Sequence, residues 1–161
     1  MKTYVIIVSR VFPSTHSKKC ISTGFVEKIL DALNYNVFNW CKKHTIRSNY
    51  TLWVNRIKEV QEGKAIISLR YWSGKPYNSK QVEFATLDKN SGCGIQMLTF
   101  FENDINCPYV SNDGIENHAI YDINNIAIND GLLLENFKEW FKKYDLSKPM
   151  AIIHFTDYRY L

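Results

Sequence analysis

The sequence lacks the cysteine patterns that mark metal and redox sites. Cys20, Cys41, Cys93 and Cys107 form no Cys-x-x-Cys pair and no Cys/His pattern with the spacing of a metal site. We therefore expect neither a metal nor another cofactor. Outside a secretory context an even number of cysteines is weak evidence for disulfides, so the pattern predicts reduced thiols in a cytoplasmic protein.

Long apolar runs are also missing. The N-terminal run from Tyr4 to Val8 is broken by Arg10, is shorter than the apolar region of a signal peptide and is followed by no cleavage site. No run approaches the roughly 20 residues of a transmembrane helix. We therefore expect no membrane partner.

A strong excess of charge of one sign is absent as well. The 20 basic and 16 acidic residues give a net charge of +4, and there is no Lys/Arg tail. This mild basicity is compatible with nucleic acid but is too weak for long duplex binding. Aromatic residues are abundant at 14%, and such residues can stack on bases. The composition therefore favours a local site for a small ligand or a few nucleotides.

The length of 161 residues fits one domain spanning 1–161. Apolar patterning predicts strands at 3–9, 64–72, 81–87, 95–101 and 150–155, with 3–9 central and buried. It predicts helices at 23–34, with Thr23 as N-cap, and at 51–61, ended by Gly63. A last helix is predicted from Asn129 or Asp130 to about 144, and loops are predicted at 10–22 and 102–117. Strands that cluster without helical crossovers indicate an α+β fold with a largely antiparallel sheet or barrel.

The most informative motif is a cluster of polar side chains between the first two predicted helices. It places two ammonium groups, a hydroxyl and a guanidinium within six residues, a combination suited to a polar, planar or anionic ligand. We call it the basic segment; its sequence is Lys42-Lys43-His44-Thr45-Ile46-Arg47.

Three motifs together resemble the ASCH domain family of the PUA-like superfamily. The basic segment follows a helix, where the family shows a basic residue, a Thr and an Arg. Gly63-Lys64-Ala65 and Arg70-Tyr71-Trp72 mark the strand block. Asn129-Asp130-Gly131-Leu132 is expected to open a helix, where the family often shows an acidic residue followed by Gly. The resemblance spans most of residues 3–155.

The resemblance implies a small mixed or antiparallel β-barrel flanked by helices, with a cleft between them. Members of the family are thought to bind RNA or nucleosides. One branch resembles an amidohydrolase that removes the acetyl group from the exocyclic amine of acetylcytidine, using a Lys, a Thr three residues later and a Glu before the last helix. Lys42 and Thr45 match the first two. Asp130 stands where that branch has Glu, so its side chain is one methylene shorter.

These three residues can supply the chemistry of amide hydrolysis. A threonine hydroxyl becomes nucleophilic when a base removes its proton, and a lysine whose pKa is lowered by burial is such a base. A carboxylic acid can then protonate the leaving amine. The alternative is structural: Lys42 in solvent, Thr45 at a strand edge and Asp130 as a helix N-cap that stabilises by about 1 kcal/mol.

Six further residues are candidates for ligand contacts. A guanidinium offers a planar fork to a phosphate or a base edge, and an Arg and a Trp on one strand face can sandwich a base. For each the alternative is structural: an ion pair, a packed core histidine, a half-buried strand pair or a solvated turn. The candidates are Arg47, His44, Arg70, Trp72, Lys75 and Tyr77.

Three functions remain open from the sequence. The first is a domain that binds RNA or a modified nucleoside or nucleotide in a basic, aromatic cleft. The second is an amidohydrolase acting on an acetylcytidine-type nucleoside, and the third is an interaction protein with a vestigial cleft. A single concave pocket lined by Lys42, Thr45, Arg47 and Asp130 would favour the first two, whereas a large distance between Lys42 and Asp130 would favour the third. The oligomeric state is not fixed by the sequence.

Overall fold

The chain contains helices and strands of similar total length. The predicted α+β class is therefore confirmed. A computed structural model describes residues 1–36, 38–112 and 119–160. The helices are α1 Phe25–Leu33, α2 Tyr50–Gln61, α3 Ile123–Asn129 and α4 Leu134–Phe141. The strands are β1 Lys2–Ile7, β2 His44–Arg47, β3 Ala65–Trp72, β4 Gln81–Leu87, β5 Gly94–Phe100, β6 Pro108–Ser111, β7 Ala119–Ile120 and β8 Met150–His154.

The strands form two sheets. One has the order β1-β3-β4, with β1 parallel and β4 antiparallel to β3. The other has the order β2-β8-β5-β6-β7 and is antiparallel throughout. Within the described residues no strand pairing joins the two sheets into a closed barrel. The largely antiparallel character is therefore confirmed, whereas the predicted PUA-like barrel is not.

Strand β1 is an edge strand, so its predicted central position is wrong. Within the described residues it pairs with β3 and with no other strand. The apolar run that suggested a central strand continues past the pairing, and Ile6 and Val8 are both buried. At the end of the basic segment, the Arg47 guanidinium donates to the Ile7 carbonyl at 2.7 Å. A side chain of β2 thus contacts the end of β1 and links the two sheets.

Residues 123–141 contain two helices in place of the single helix predicted from Asn129 or Asp130. Helix α3 ends at Asn129, Asp130 follows it, and Gly131 adopts a positive φ of 84°. A glycine in this conformation is typical of a helix end. Asp130 is therefore not a helix N-cap, and the third motif of the resemblance closes a helix where it was expected to open one. The Asn-rich sequence of α3 concealed it, because asparagine favours loops and caps.

The predicted loop 102–117 contains strand β6, which pairs with β5. Its buried residues Val110 and Ser111 stand among the Asn, Asp and Pro residues that suggested a loop. A turn expected at Asn112-Asp113-Gly114 lies largely outside the described residues, as do residues 115–117 of this predicted loop.

The first two helices lie where the sequence predicts them, within about two residues. At α1 the residue before the helix is Gly24 in a left-handed conformation, and the Thr23 hydroxyl accepts from the Phe25 amide at 3.2 Å. At α2 the Asn49 side chain accepts from the Leu52 amide. Gly63, at a φ of 75°, follows the end of α2 as expected.

Helix α2 packs between the two sheets, with β3 on one side and β5 and β8 on the other. Ile57 and Val60 on this helix are fully buried, as are Ile67 and Leu69 on β3 and Ile152 and Ile153 on β8. Burial of these apolar side chains is the main force that joins the sheets. The core therefore fixes β2 and β8 beside the end of β1, where the basic segment lies.

The four cysteines are all free. Across the described part of the chain, none of the helices has the length and apolarity needed to cross a membrane.

Replacement of Ile57 by Ala should destabilise the protein by about 2–5 kcal/mol, because it leaves a cavity where both sheets meet α2. The matched control is Leu52→Ala on the same helix, since Leu52 is 40% exposed and Ile57 is 0% exposed. Urea unfolding followed by circular dichroism measures both. Equal stability of the two variants would contradict this account of the core.

Candidate functional site

A cavity of about 300 Å³ lies beside the basic segment. Lys42, Thr45, Arg47 and Asp130 all line it, so the condition that favours the first two sequence hypotheses is met. Its remaining walls are largely aromatic, formed by Phe25, Trp53, Trp140, Phe141 and Tyr144 together with smaller side chains.

Two chain segments bring these side chains together. The basic segment enters β2, which pairs with β8. Next to it runs the turn after α3, and the Lys43 amide donates to the Asn129 carbonyl at 2.7 Å. A side chain at Gly131 would lie only 3.2 Å from Cβ of Lys42. Glycine at this position therefore lets the turn approach Lys42 closely enough to place Asp130 in the cavity.

Lys42 and Asp130 form a buried pair. The Lys42 ammonium donates to Asp130 Oδ1 at 3.0 Å and to the Asp130 carbonyl at 2.6 Å, and both residues are about 4% exposed or less. The expectation of a solvated Lys42 is therefore wrong. Burial lowers the pKa of Lys42, and although Asp130 acts in the opposite direction, the burial effect is larger. A lowered pKa means that Lys42 more easily takes the neutral amine form, which can act as a base.

Arg47 lies at the cavity with one donor unused. One terminal nitrogen donates to the Ile7 carbonyl, while Nε is buried and has no partner among the described residues. Burial lowers the pKa of Arg47, and Asp130 opposes this effect. A buried donor without a partner costs about 1–3 kcal/mol, a cost that a ligand oxygen would remove.

The charged groups of the cavity are two cations, Lys42 and Arg47, and one carboxylate, Asp130. Such a site favours a ligand with a carbonyl or anionic oxygen. Among the described residues, no group of three or more histidines, cysteines or acids is arranged to hold a metal ion. The functional groups that line the cavity include an amine, a hydroxyl, a guanidinium and a carboxylate.

His44 does not line the cavity, contrary to its predicted ligand contact. It is completely buried. Its Nδ1 lies 3.3 Å from Asp130 Oδ1 and its Nε2 lies 2.7 Å from the Tyr160 hydroxyl. Because β2 is a strand, neighbouring side chains point to opposite faces. Thr45 therefore reaches the cavity, while His44 packs behind it.

Four other predicted ligand residues lie outside the cavity. Arg70 donates to Ser68 and Gln81 on the three-stranded sheet. Trp72 packs against Tyr77, whose side chain is otherwise 86% exposed. Trp72 and Lys75 line a separate groove of about 960 Å³.

This groove adjoins the cavity, because Ser9 and Phe25 line both. Of the six predicted ligand residues, Arg47 thus lines the cavity and two line the groove, whereas His44, Arg70 and Tyr77 line neither.

Sequence analysis missed three residues that support the site. Tyr160 contacts His44, and Asn129 donates to Tyr160. Gln96 holds the main chain of Tyr160 from both sides, donating to its carbonyl at 2.7 Å and accepting from its amide at 2.9 Å. The aromatic cluster Tyr158-Arg159-Tyr160 was the available signal for this end of the chain, whereas nothing in the sequence marks Gln96.

Comparison of the chain with models of protein families, with curated proteins and with solved structures finds no significant match. Membership of the ASCH family therefore remains a prediction from the motifs.

Stability should fall as the pH drops from about 6.5 to about 5, a window above the ordinary range of carboxylates. Burial lowers the pKa of His44, and it lowers that of His154 to about 2. In this window the unfolded chain binds protons that the folded chain does not. The free energy of unfolding should therefore decrease by up to about 1.4 kcal/mol per pH unit for each histidine.

Urea unfolding at a series of pH values measures this slope. The variant His154→Gln should lose about half of the histidine contribution while keeping a side chain that can donate to Gln96. A flat profile between these pH values would contradict the neutral, buried state of both rings.

Proposed function

We propose that this protein is an amidohydrolase that removes an acyl group from the exocyclic amine of a small planar substrate of the acetylcytidine class. The observation that supports the proposal most is the buried Lys42–Asp130 pair in the same cavity as Thr45. Burying the two charges is costly, so a buried lysine and carboxylate that line a cavity are candidates for a functional role.

In the proposed reaction Thr45 is the nucleophile. Its oxygen attacks the acyl carbon as its proton passes to the neutral amine of Lys42. The bond between the acyl carbon and the nitrogen then breaks, and the leaving amine takes a proton from the Lys42–Asp130 pair. Water subsequently hydrolyses the ester on Thr45. Lys42 serves as base because its buried amine loses its proton more easily than an exposed lysine does.

The size and walls of the cavity favour a small planar substrate. A volume of about 300 Å³ lies at the lower end of ligand sites, which suits a nucleobase better than a folded nucleic acid. Phe25, Trp53 and Trp140 offer aromatic faces to a ring. The sugar and any phosphate would extend into the adjoining groove, where Trp72 and Lys75 lie.

A relation to the PUA-like superfamily is part of the proposal. Two features support this relation. Lys42 and Thr45 of the basic segment match the amidohydrolase branch, and Asp130 supplies a carboxylic acid where that branch has Glu. The shorter aspartate is compatible with the role because the turn at Gly131 brings its main chain against Lys42. Because the backbone at Asp130 lies close to Lys42, the shorter aspartate side chain still reaches the ammonium group.

Substitution of Thr45 by Ala should abolish deacetylation of acetylcytidine, with a loss of about 100-fold or more in kcat, because the nucleophile is removed. Chromatography of the released cytidine measures the rate. Thr45→Ser keeps a hydroxyl and should retain activity, whereas Thr86→Ala on β4 controls for loss of a strand threonine. Full activity of the correctly folded Thr45→Ala variant would rule out this mechanism.

A second candidate function is the binding of a nucleoside, a nucleotide or RNA without catalysis. The unpartnered Nε of Arg47 and the excess of positive charge at the cavity favour it. Under this hypothesis Lys42 and Asp130 orient the ligand and no bond is broken. The same cavity serves both functions, so turnover decides between them.

Substitution of Arg47 by Ala should weaken binding of cytidine 5′-monophosphate or acetylcytidine by about tenfold or more, since a charged hydrogen bond contributes about 1.5–3 kcal/mol. Isothermal titration calorimetry gives the affinities. Arg70→Ala is the matched control, because Arg70 bonds to Ser68 and Gln81 away from the cavity. An equal loss of affinity in both variants would show that the ligand binds outside the cavity.

A further inference from the structure

A chain of polar contacts runs behind Asp130, away from the cavity. Asn129 Nδ2 donates to the Tyr160 hydroxyl at 3.0 Å, and this hydroxyl lies 2.7 Å from His44 Nε2. His44 Nδ1 in turn lies 3.3 Å from Asp130 Oδ1. His44, Tyr160 and Asp130 are all buried, so water does not compete for these contacts.

The direction of the chain follows from the groups that compose it. The amide nitrogen of Asn129 can only donate, so the Tyr160 oxygen accepts from it. The hydroxyl hydrogen of Tyr160 is then available for His44 Nε2. Burial lowers the pKa of His44, which keeps the imidazole neutral. A neutral imidazole that accepts at Nε2 carries its hydrogen at Nδ1, on the side of Asp130.

The opposite tautomer would bring two electron-rich atoms together. With the hydrogen on Nε2, the lone pair of Nδ1 would face the Asp130 oxygen at 3.3 Å in a buried environment. The contact is not aligned as a regular hydrogen bond, and Nδ1 has no other partner within the described part of the chain. The Asp130 carboxylate is therefore the acceptor within reach of an Nδ1 hydrogen.

We propose that His44 is a positioning residue for Asp130: Tyr160 and Asn129 hold it as the Nδ1–H tautomer, and its hydrogen orients the carboxylate against Lys42. The tautomer follows from the contacts and the burial of His44, whereas a catalytic consequence rests on the proposed amidohydrolase function. Lys42 and His44 both contact Oδ1, which leaves Oδ2 for the substrate.

A second buried histidine, His154, provides a reference for the tautomer of His44. His154, paired with His44 across β2 and β8, lies 2.9 Å from Gln96 Oε1 through its Nε2. The amide nitrogen of Gln96 donates to the Tyr160 carbonyl, so Oε1 is the accepting end. His154 must therefore donate from Nε2. Two buried histidines with ring centres 5.5 Å apart are thus expected in opposite tautomers.

Nitrogen-15 NMR of the imidazole rings at pH 7 tests the tautomers directly. Protonated and unprotonated ring nitrogens differ widely in chemical shift, and His44→Gln and His154→Gln assign the signals. The expected result is a protonated Nδ1 at His44 and a protonated Nε2 at His154. A protonated Nε2 at His44 in the wild-type protein would overturn the proposal, whatever the activity.

Tyr160→Phe removes the hydroxyl that holds His44 Nε2, so the His44 signals should move towards those of a mixed tautomer. Tyr158→Phe is the matched control, because the Tyr158 hydroxyl also accepts from Asn129, at 3.2 Å, but the Tyr158 ring is not the one bonded to His44. His44 signals unchanged in a folded Tyr160→Phe variant would remove Tyr160 from the mechanism.

The kinetic arm of the experiment uses the same variants with acetylcytidine. Tyr160→Phe should lower kcat by roughly 10- to 100-fold with little change in KM, because a displaced carboxylate misplaces the reacting groups. Tyr158→Phe should match the wild type. Equal kcat in Tyr160→Phe and wild type would overturn the positioning role. A wild-type protein with the expected tautomers but no turnover would instead overturn the amidohydrolase proposal and leave the tautomer assignment supported.

Discussion

The buried ion pair between Lys42 and Asp130 is the interaction on which the site depends. Removing two charges from water is costly, and a short contact with further hydrogen bonds is needed to offset that cost. The structure supplies two hydrogen bonds from the Lys42 ammonium, one of them to a main-chain carbonyl, and places His44 beside the same carboxylate oxygen. The turn at Gly131 is a condition for this pair, because only a residue without a side chain lets the backbone approach Lys42 so closely.

The fold serves the site by holding segments that are distant in the sequence at one point. Helix α2 fixes the two sheets on either side of it, and the Arg47 guanidinium joins β2 to the end of β1. The last residues of the chain are fixed in turn by Gln96 on β5, whose side-chain amide bonds to both main-chain groups of Tyr160. The result is a small cavity with polar groups on one wall and aromatic rings on the others, with a buried polar network behind it.

The α+β class, the first two helices and five of the strands could be predicted from the sequence, because each rests on local apolar periodicity. The errors have a common cause. Strand β1 was predicted to be central because apolar residues cover both of its faces, yet burial by neighbouring loops and helices produces the same pattern as burial between strands. The sequence does not predict helix α3, because three asparagines conceal its short apolar stripe of Ile123, Ile126 and Ala127. Gly131 follows the end of this helix, whereas the sequence predicts the start of a helix there.

For the site, the sequence by itself determined which functional groups are available: an amine, a hydroxyl and a guanidinium at fixed spacing in the basic segment. Spacing along one strand also decides which side chains share a face, so Thr45 and Arg47 point together. Tertiary structure alone decided that Asp130, 88 residues from Lys42 along the chain, meets it at 3.0 Å. It also moved His44 behind the carboxylate and placed Arg70, Trp72, Lys75 and Tyr77 outside the cavity. The physical reason is that burial and long-range contacts depend on how the whole chain packs, whereas a residue type and its local spacing do not.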